Sequence, residues 1–371
     1  MREYRTAAIV HLGRLKRNTE RVLKILSPGT ELMATVKGDA YGHGMEECIK
    51  LFESMGIRSY ACANAEEALQ IRSLGVKDKE ILILGDNLEK YYPALIENSI
   101  TQTVFSLEIA KELNKKALEL GKVLPVNIKI DTGMSRIGFP AGKACLSDII
   151  EISKMKGLKI TGAFTHFMCA DDLESDLTEI QFKRFTDTIS MLRENGVDIP
   201  MIHAANSPTT LLRPDMHLDR VRVGDAIFGL APIADEDWIA SGFEDVMTWE
   251  SYVSFVKTVP AGTFVGYGAT YQTNKETTIA TIPVGFYDGY SRALANKGSV
   301  YINGREAPVI GKVCMNQFMV DVSGLDVKRG DNVTLLGEGM SILRMANLLD
   351  KNVDEIVCGI SKDVPKIYVN D

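Results

Sequence analysis

Eight short apolar runs rich in β-branched residues recur through the first two thirds of the chain. They are ELMATVK (31–37), RSYACA (58–63), EILILG (80–85), TQTVFS (101–106), PVNIKID (125–131), KITGAFTHF (159–167), MIHAANS (201–207) and DRVRVGDAIFG (219–229). Between most of them, apolar residues return every three or four positions and the stretch closes on glycine, as in 45–56, 65–75, 108–121 and 179–196. Near-continuous apolar strands alternating with such helices predict a parallel sheet. Eight units in a row predict a (β/α)8 TIM barrel. A doubly wound open sheet is the competing fold, but it would carry a glycine-rich first turn. Here the first strand runs into KGDAYGHG (37–44), which is not GxGxxG.

After residue 240 the texture changes. Helical periodicity gives way to short strands, ESYVSFVKTV, TTIATIPVGF, GSVYING, EAPVIGKVCM, FMVDVS and DNVTLLG, some separated by turn pairs such as Asn303-Gly304 and Arg329-Gly330. This predicts a C-terminal all-β domain over 241–371, after an α/β barrel over 1–240. The boundary is expected in the polar, acidic stretch 232–246. Residues 1–12 contain a strand-like run, YRTAAIVHL, expected to pair with the β-domain rather than the barrel.

Composition narrows the function. The chain has 371 residues, 45% apolar and 25% charged, which sets aside disordered and low-complexity classes. A net charge of −7 argues against nucleic acid as a partner, although a local basic pocket for one small phosphate fits. The six cysteines are scattered without a CxxC pair, so no metal site is expected and a reducing, cytoplasmic setting is. No run approaches the roughly 18 apolar residues that a membrane span needs.

In a barrel, functional groups sit at the C-terminal ends of the strands. Those ends carry Lys37, then Lys129, Asp131 and Arg136, then Thr165 and His166, then His203, Asn206 and Ser207, then Arg222 and Gly224. This is a dense set of cations and imidazoles for an acidic protein. Loops after the seventh and eighth strands often bind phosphate, a role suited to Ser207 and the backbone at Gly224. A phosphorylated ligand beside a lysine is the setting of a pyridoxal-phosphate Schiff base. Position alone leaves open the plainer alternative, a solvated lysine after a strand.

The motifs TVKGDAYGHG (35–44), IDTGMSRIGF (130–139), FTHFMCAD (164–171), HAANSPTTL (203–211), VRVGDAIFGL (221–230), VGYGATYQT (265–273), IPVGFYDGYSR (282–292), GKVCMNQ (311–317) and ISKDVPKIY (360–368) follow one another along the chain. Together they closely resemble those of the alanine racemase family. The resemblance implies pyridoxal 5'-phosphate as cofactor, a small amino acid as substrate and a homodimer with shared active sites. It makes Lys37 the cofactor lysine and the base on one face of the substrate. Tyr267, reaching in from the partner subunit, is the base on the other. Such a lysine must be neutral near pH 7, well below its ~10.4 reference value. His166 and Arg222 form the chain behind the phenol, and Arg222 bonds the cofactor ring nitrogen with His203 beside it. Tyr41 and Ser207 contact the phosphate, as do the backbone amides of Gly224 and Asp225, while the Asp225 carboxylate is expected to turn away. Arg136 and the Met315 backbone meet the substrate carboxylate. Lys129 matches a lysine that is often carbamylated.

Five entrance positions depart from the family pattern. Lys362 and Asp363 replace a Tyr-Arg pair, Asn316 an aspartate, Phe286 a tyrosine and Lys312 an arginine; Asp171 and Arg292 are kept. Lys362 is expected to approach the phosphate as a point charge, with a different space left beside the substrate side chain. The reading is racemisation of alanine, supplying D-amino acid for peptidoglycan, with serine or a broader substrate range as the alternative. A barrel-type pyridoxal-phosphate decarboxylase and a non-catalytic cofactor-binding protein are further alternatives. The decarboxylase reading lacks its glycine-rich phosphate segment and catalytic-cysteine motif here, and the non-catalytic protein would lack the second domain and Tyr267.

Overall fold

A computed structural model describes residues 3–172, 174–232 and 241–371. The boundary expected at residue 240 lies outside the described residues. The chain opens with strand β1 (Ala7–His11) and the helix Leu12–Ile25. There follow β2 (Glu31–Thr35), β3 (Ser59–Cys62), β4 (Glu80–Ile83), β5 (Thr101–Val104), β6 (Leu124–Asp131), β7 (Phe139–Pro140), β8 (Leu158–Phe164), β9 (Ile202–His203) and β10 (Arg220–Val223). Eight of these, all but β1 and β7, pair in parallel with their neighbours, and β10 returns to β2. The result is a closed eight-stranded barrel, as the alternating pattern predicts. The helix Leu12–Ile25 packs against the helices Met45–Ser54 and Ser207–Leu212, so the outer layer continues from the last barrel helix round to the first.

Register gives the barrel interior two unlike halves. Met33, Ala61 and Leu82 form an apolar cluster from β2, β3 and β4. On the other side the pairing runs Met33 to Arg222, Arg220 to His203, His203 to Phe164 and Phe164 to Lys129. Paired positions of parallel strands share a face, so Lys129, His203, Arg220 and Arg222 enter one buried polar column.

The second domain contains β11 (Met247–Tyr252), β12 (Phe255–Val259), β13 (Phe264–Val265), β14 (Tyr271–Gln272), β15 (Thr277–Ile282), β16 (Ser299–Ile302), β17 (Arg305–Ile310), β18 (Phe318–Asp321), β19 (Asn332–Leu336) and β20 (Lys366–Val369). Its main sheet has the order β12-β15-β18-β17-β16-β19-β11-β1-β20. The N-terminal strand β1 is thus built into the C-terminal domain, antiparallel to β11 and parallel to β20. Trp249 locks that junction by donating its indole N–H to Thr6 Oγ1 at 2.7 Å. Asn303 and Gly304 turn β16 into β17 with φ of +50° and +74°, the left-handed pair a tight hairpin needs. The all-β expectation needs one correction. Two helices, Ile342–Leu349 and Val353–Cys358, follow the strands, started by Ser341 and by an Asn352/Glu355 capping box.

One buried ring ties the core to the start of the cleft. Phe228 lies 5.3 Å from the Tyr41 ring, 4.8 Å from His43 and 6.4 Å from Phe52, centroid to centroid. Phe228→Ala should cost about 3–5 kcal/mol of stability through the cavity it leaves. Urea unfolding measures this, and a cost below about 1 kcal/mol would contradict the packing described.

Candidate active site

Lys37 is placed by a turn of the opposite hand to an ordinary helix. After β2, Gly38, Asp39, Ala40 and Tyr41 all have positive φ, at 64°, 55°, 56° and 53°. For the three non-glycine residues this costs about 1–2 kcal/mol each. Local bonds offset the strain. Ala40 N–H donates to Val36 O at 2.9 Å and Gly42 N–H to Gly38 O at 2.8 Å. Gly38 N–H donates to Glu67 Oε1 at 2.7 Å, and Met45 N–H to Asp39 Oδ1 at 2.8 Å. The second domain clasps the same turn through Lys366 Nζ, 3.1 Å from Asp39 Oδ2. The turn carries Lys37 and Tyr41 onto one wall of the cleft, with Lys37 Nζ 5.5 Å from the Tyr41 ring centre.

The cleft encloses a volume of about 150 Å3. Its walls bring together Lys37, Tyr41, Lys129, Arg136, His166, Ser207, Arg222, Gly224 and Asp225. At its base Arg222 is buried and all its acceptors are neutral. Nη1 donates to His203 Nδ1 at 2.8 Å; Nη2 donates to Thr165 O at 2.7 Å, Ala204 O at 3.1 Å and His166 Nδ1 at 3.4 Å. Burial, then Arg136 and Arg220, lower its pKa to about 9, which leaves it charged at neutral pH. Burial and Arg222 hold both His166 and His203 well below the usual imidazole range, so both are neutral acceptors. Burial, Arg222 and Arg136 bring Lys129 down to about 7 against the opposing pull of Asp131. The Phe164 ring lies 5.3 Å from Lys129 Nζ and 5.1 Å from Arg222 Cζ. Lys37, Lys129, Arg136 and Arg222 have no salt-bridge partner among the described residues.

Beside Tyr41 the cleft holds a cradle of small groups. Ser207 Oγ accepts from Gly224 N–H at 3.3 Å and Ala226 N–H at 3.4 Å, which leaves its own proton to donate elsewhere. Only glycine fits at 224, because a Cβ there would lie 2.2 Å from Tyr41 Oη. Asp225 follows Gly224 in this stretch. It belongs to the cleft wall, and burial together with Asp354 raises its carboxyl to about 6 while Lys37 opposes the shift.

Other expected residues lie elsewhere. Lys362 is exposed and does not wall the cleft; the second-domain cation at the lysine turn is Lys366. Tyr267 is 71% exposed and Met315 56%, and neither they nor Asn316 wall this chain's cleft. They belong to one apolar face. Phe286 N–H donates to Cys314 O and Tyr287 N–H to Met315 O, and the Tyr267 turn lies against Lys312. Phe264, Phe286 and Tyr287 are exposed there too.

Sequence reasoning missed Thr35, Leu84, Ile137 and Asp354, which also wall the cleft, and Gln181, which braces it. Gln181, buried on the helix Leu177–Glu194, donates to Thr132 Oγ1 and His166 O and accepts from Met168 N–H. It thereby ties the loops of Arg136 and His166 together. A buried glutamine inside an amphipathic helix was the only available signal.

The fold and the cleft define a barrel enzyme with a cation-lined cleft beside a lysine. Residues 10–232 match the family description "Alanine racemase, N-terminal domain", and 246–368 match "Alanine racemase, C-terminal domain". An alanine racemase of Methanococcus maripaludis is 39% identical over 368 residues, 98% of each chain. One from Clostridium tetani is 37% identical over 98% of this chain and 95% of its own. The alanine racemase structure of Clostridium difficile 630 superposes with a TM-score of 0.93 at 34% identity, covering 100% of this chain and 97% of that one. The Bartonella henselae enzyme, described with covalently bound pyridoxal phosphate, gives 0.91 at 26% identity, over 99% and 100%. The chain belongs to the alanine racemase family and is an amino-acid racemase. No helix among the described residues is long and apolar enough to cross a membrane.

The Lys129 shift has a measurable consequence. Between about pH 7 and its unfolded value near 10.4 the unfolded chain holds a proton that the folded chain has shed. Stability therefore rises with pH across this window, by at most about 1.4 kcal/mol per unit from this group. Lys129→Met should flatten the rise and stabilise the chain at pH 7. Urea unfolding free energies from pH 7 to 10 in carbon-dioxide-free buffer check this, and an unchanged slope counts against it.

Proposed function

We propose that the chain interconverts L- and D-alanine with pyridoxal 5'-phosphate held in the Lys37 cleft, as a homodimer whose subunits complete each other's sites. The observation that carries this reading is the set of four unpaired cations converging on one cleft beside the Ser207 cradle. Such a site wants an anion, and the cofactor phosphate and the substrate carboxylate supply two. The residues fit the cofactor. The Ser207 hydroxyl and the amides of Gly224 and Asp225 would hold the phosphate, with Tyr41 closing over Gly224. Arg222 would face the ring nitrogen as a donor that does not give up its proton, so that nitrogen stays unprotonated. When bound, the cofactor supplies an electron sink that acidifies the α-hydrogen of the amino acid.

The remaining chemistry belongs to the protein. Racemisation needs a proton carrier on each face, because one base alone would return the proton to the side it came from. Lys37 Nζ serves one face. Tyr267 of the partner subunit serves the other, carried there by the apolar face it shares with Met315 and Phe286. Neutral His166 accepts from Arg222 at Nδ1 and so carries its proton on Nε2, from which it would donate to the oxygen of that phenol. Arg136 orients the substrate carboxylate together with the Met315 backbone from the partner, whose Asn316 shares the same turn. Lys129, partly neutral near pH 7, is the amine that would add carbon dioxide and release a proton. The resulting carbamate would set a negative charge beside Arg136. All six cysteines are free, in keeping with a cytoplasmic enzyme that provides D-alanine for peptidoglycan.

Borohydride treatment of the protein loaded with pyridoxal phosphate should fix the cofactor on Lys37, read by peptide mass analysis. Label on another lysine overturns the assignment. Tyr267→Phe should slow α-hydrogen exchange from one enantiomer far more than from the other in single-turnover measurements. Equal losses count against two bases. Mixing Lys37→Ala chains with Tyr267→Phe chains should restore part of the activity, since one site of a mixed dimer keeps both bases. No recovery means that each chain works alone.

A further inference from the structure

Arg222 is the near end of a hydrogen-bonded column that runs through the barrel to its opposite mouth. Arg222 Nη1 donates to His203 Nδ1 at 2.8 Å. His203 Nε2 faces Asn127 Oδ1 at 3.1 Å. Asn127 Nδ2 lies 3.2 Å from both Glu80 Oε1 and Thr161 Oγ1. Glu80 Oε2 accepts from Arg220 Nη1 at 2.6 Å, and Arg220 Nη2 donates to Glu31 Oε2 at 3.1 Å. His203, Asn127, Arg220 and Arg222 are all buried.

The two ends allow one arrangement of protons. A guanidinium only donates, so His203 Nδ1 must present a lone pair and its proton must sit on Nε2. That proton needs an acceptor, which Asn127 supplies with its carbonyl oxygen. Asn127 can offer oxygen to His203 only if its amide nitrogen has an acceptor behind it. An ionised carboxylate only accepts, and Glu80 provides that group. Glu80 in turn is oriented by Arg220.

We propose that Asn127, backed by Glu80, is a positioning residue for the racemase reaction: it fixes the neutral Nε2–H form of His203 and through it the aim of Arg222. The inference rests on the proposed role of Arg222 at the cofactor ring nitrogen. The coupling crosses the barrel and needs no movement of the backbone. Glu80→Gln, nearly isosteric, should break it. The oxygen of the new amide must face Arg220, so its nitrogen faces Asn127. Only Thr161 Oγ1, whose own proton goes to Val126 O, then holds the original orientation, and a fraction of Asn127 flips to offer its nitrogen to His203 Nε2. The imidazole proton moves to Nδ1, where it opposes Arg222 donor to donor. Glu80→Asp keeps an acceptor-only group and should retain the original form.

The test is imidazole nitrogen NMR on the full chain, tractable because the sequence has only five histidines. In the unaltered chain the His203 proton should be on Nε2, and finding it on Nδ1 overturns the proposal whatever the variants do. In Glu80→Gln a measurable fraction should move to Nδ1, with kcat lowered on the order of tenfold, as for the outer partners of other fixed histidines, and KM little changed. Glu80→Asp should restore both. Folded Glu80→Gln with the Nε2–H form and full kcat overturns the proposal. The reading beneath it is checked separately. If Arg222→Gln leaves the absorption of the bound cofactor unaltered, the ring-nitrogen role fails, while the tautomer measured without cofactor still reports on the column.

Discussion

The site depends on a guanidinium buried without a carboxylate. Moving a charge out of water costs several kcal/mol, and a counter-ion would normally offset this. Arg222 has instead two backbone carbonyls and two imidazole nitrogens, all neutral dipoles. They satisfy its hydrogens without cancelling its charge. Burial first, and then its field, lower Lys129, His166 and His203 together. The cleft is therefore cationic before any ligand enters, and an anion can supply the missing partner. Burial and the same field keep both imidazoles neutral, as acceptors for Arg222 must be.

A second constraint is mechanical. Lys37 leaves β2 on a left-handed turn that isolated chain would not keep, since three of its residues pay for a positive φ. The turn persists because the surroundings over-determine it. Glu67 holds it from the barrel, Phe228 packs beneath Tyr41, and Lys366 reaches Asp39 from β20. β20 is parallel to β1, the first strand of the chain, so the sheet of the second domain unites both ends of the protein. The second domain thus shapes the cleft of its own chain through the lysine turn. It also displays Tyr267 on a separate apolar face.

Much of the scaffold was legible in the chain. The eight apolar runs each contain one barrel strand, because a strand buried on both faces leaves a continuous apolar signature. The two helices after residue 340 were hidden. They are short, and their six- and eight-residue spans hold too few turns for a clear period. Lys362 shows the limit of matching by motif. Its place in ISKDVPKIY aligned it with a phosphate contact, yet its side chain is exposed and Lys366 makes the contact to the lysine turn. Asp354 carried no local sign of its place, and Gln181 only that of a glutamine inside an amphipathic helix, since each enters the site from a distant helix.

The sequence by itself determined the barrel, the second domain and the list of cations, for these follow from periodicity and residue type. It placed Lys37, Arg136, His166 and Arg222 at strand ends, where a barrel gathers them. Only the tertiary structure decided which charges go unpaired, which protons the imidazoles carry and which residues face a neighbour. Those properties depend on burial and on donors and acceptors brought together across the barrel, such as Asn127 between Glu80 and His203. Residue order along the chain does not encode them locally, because each partner arrives from a different strand.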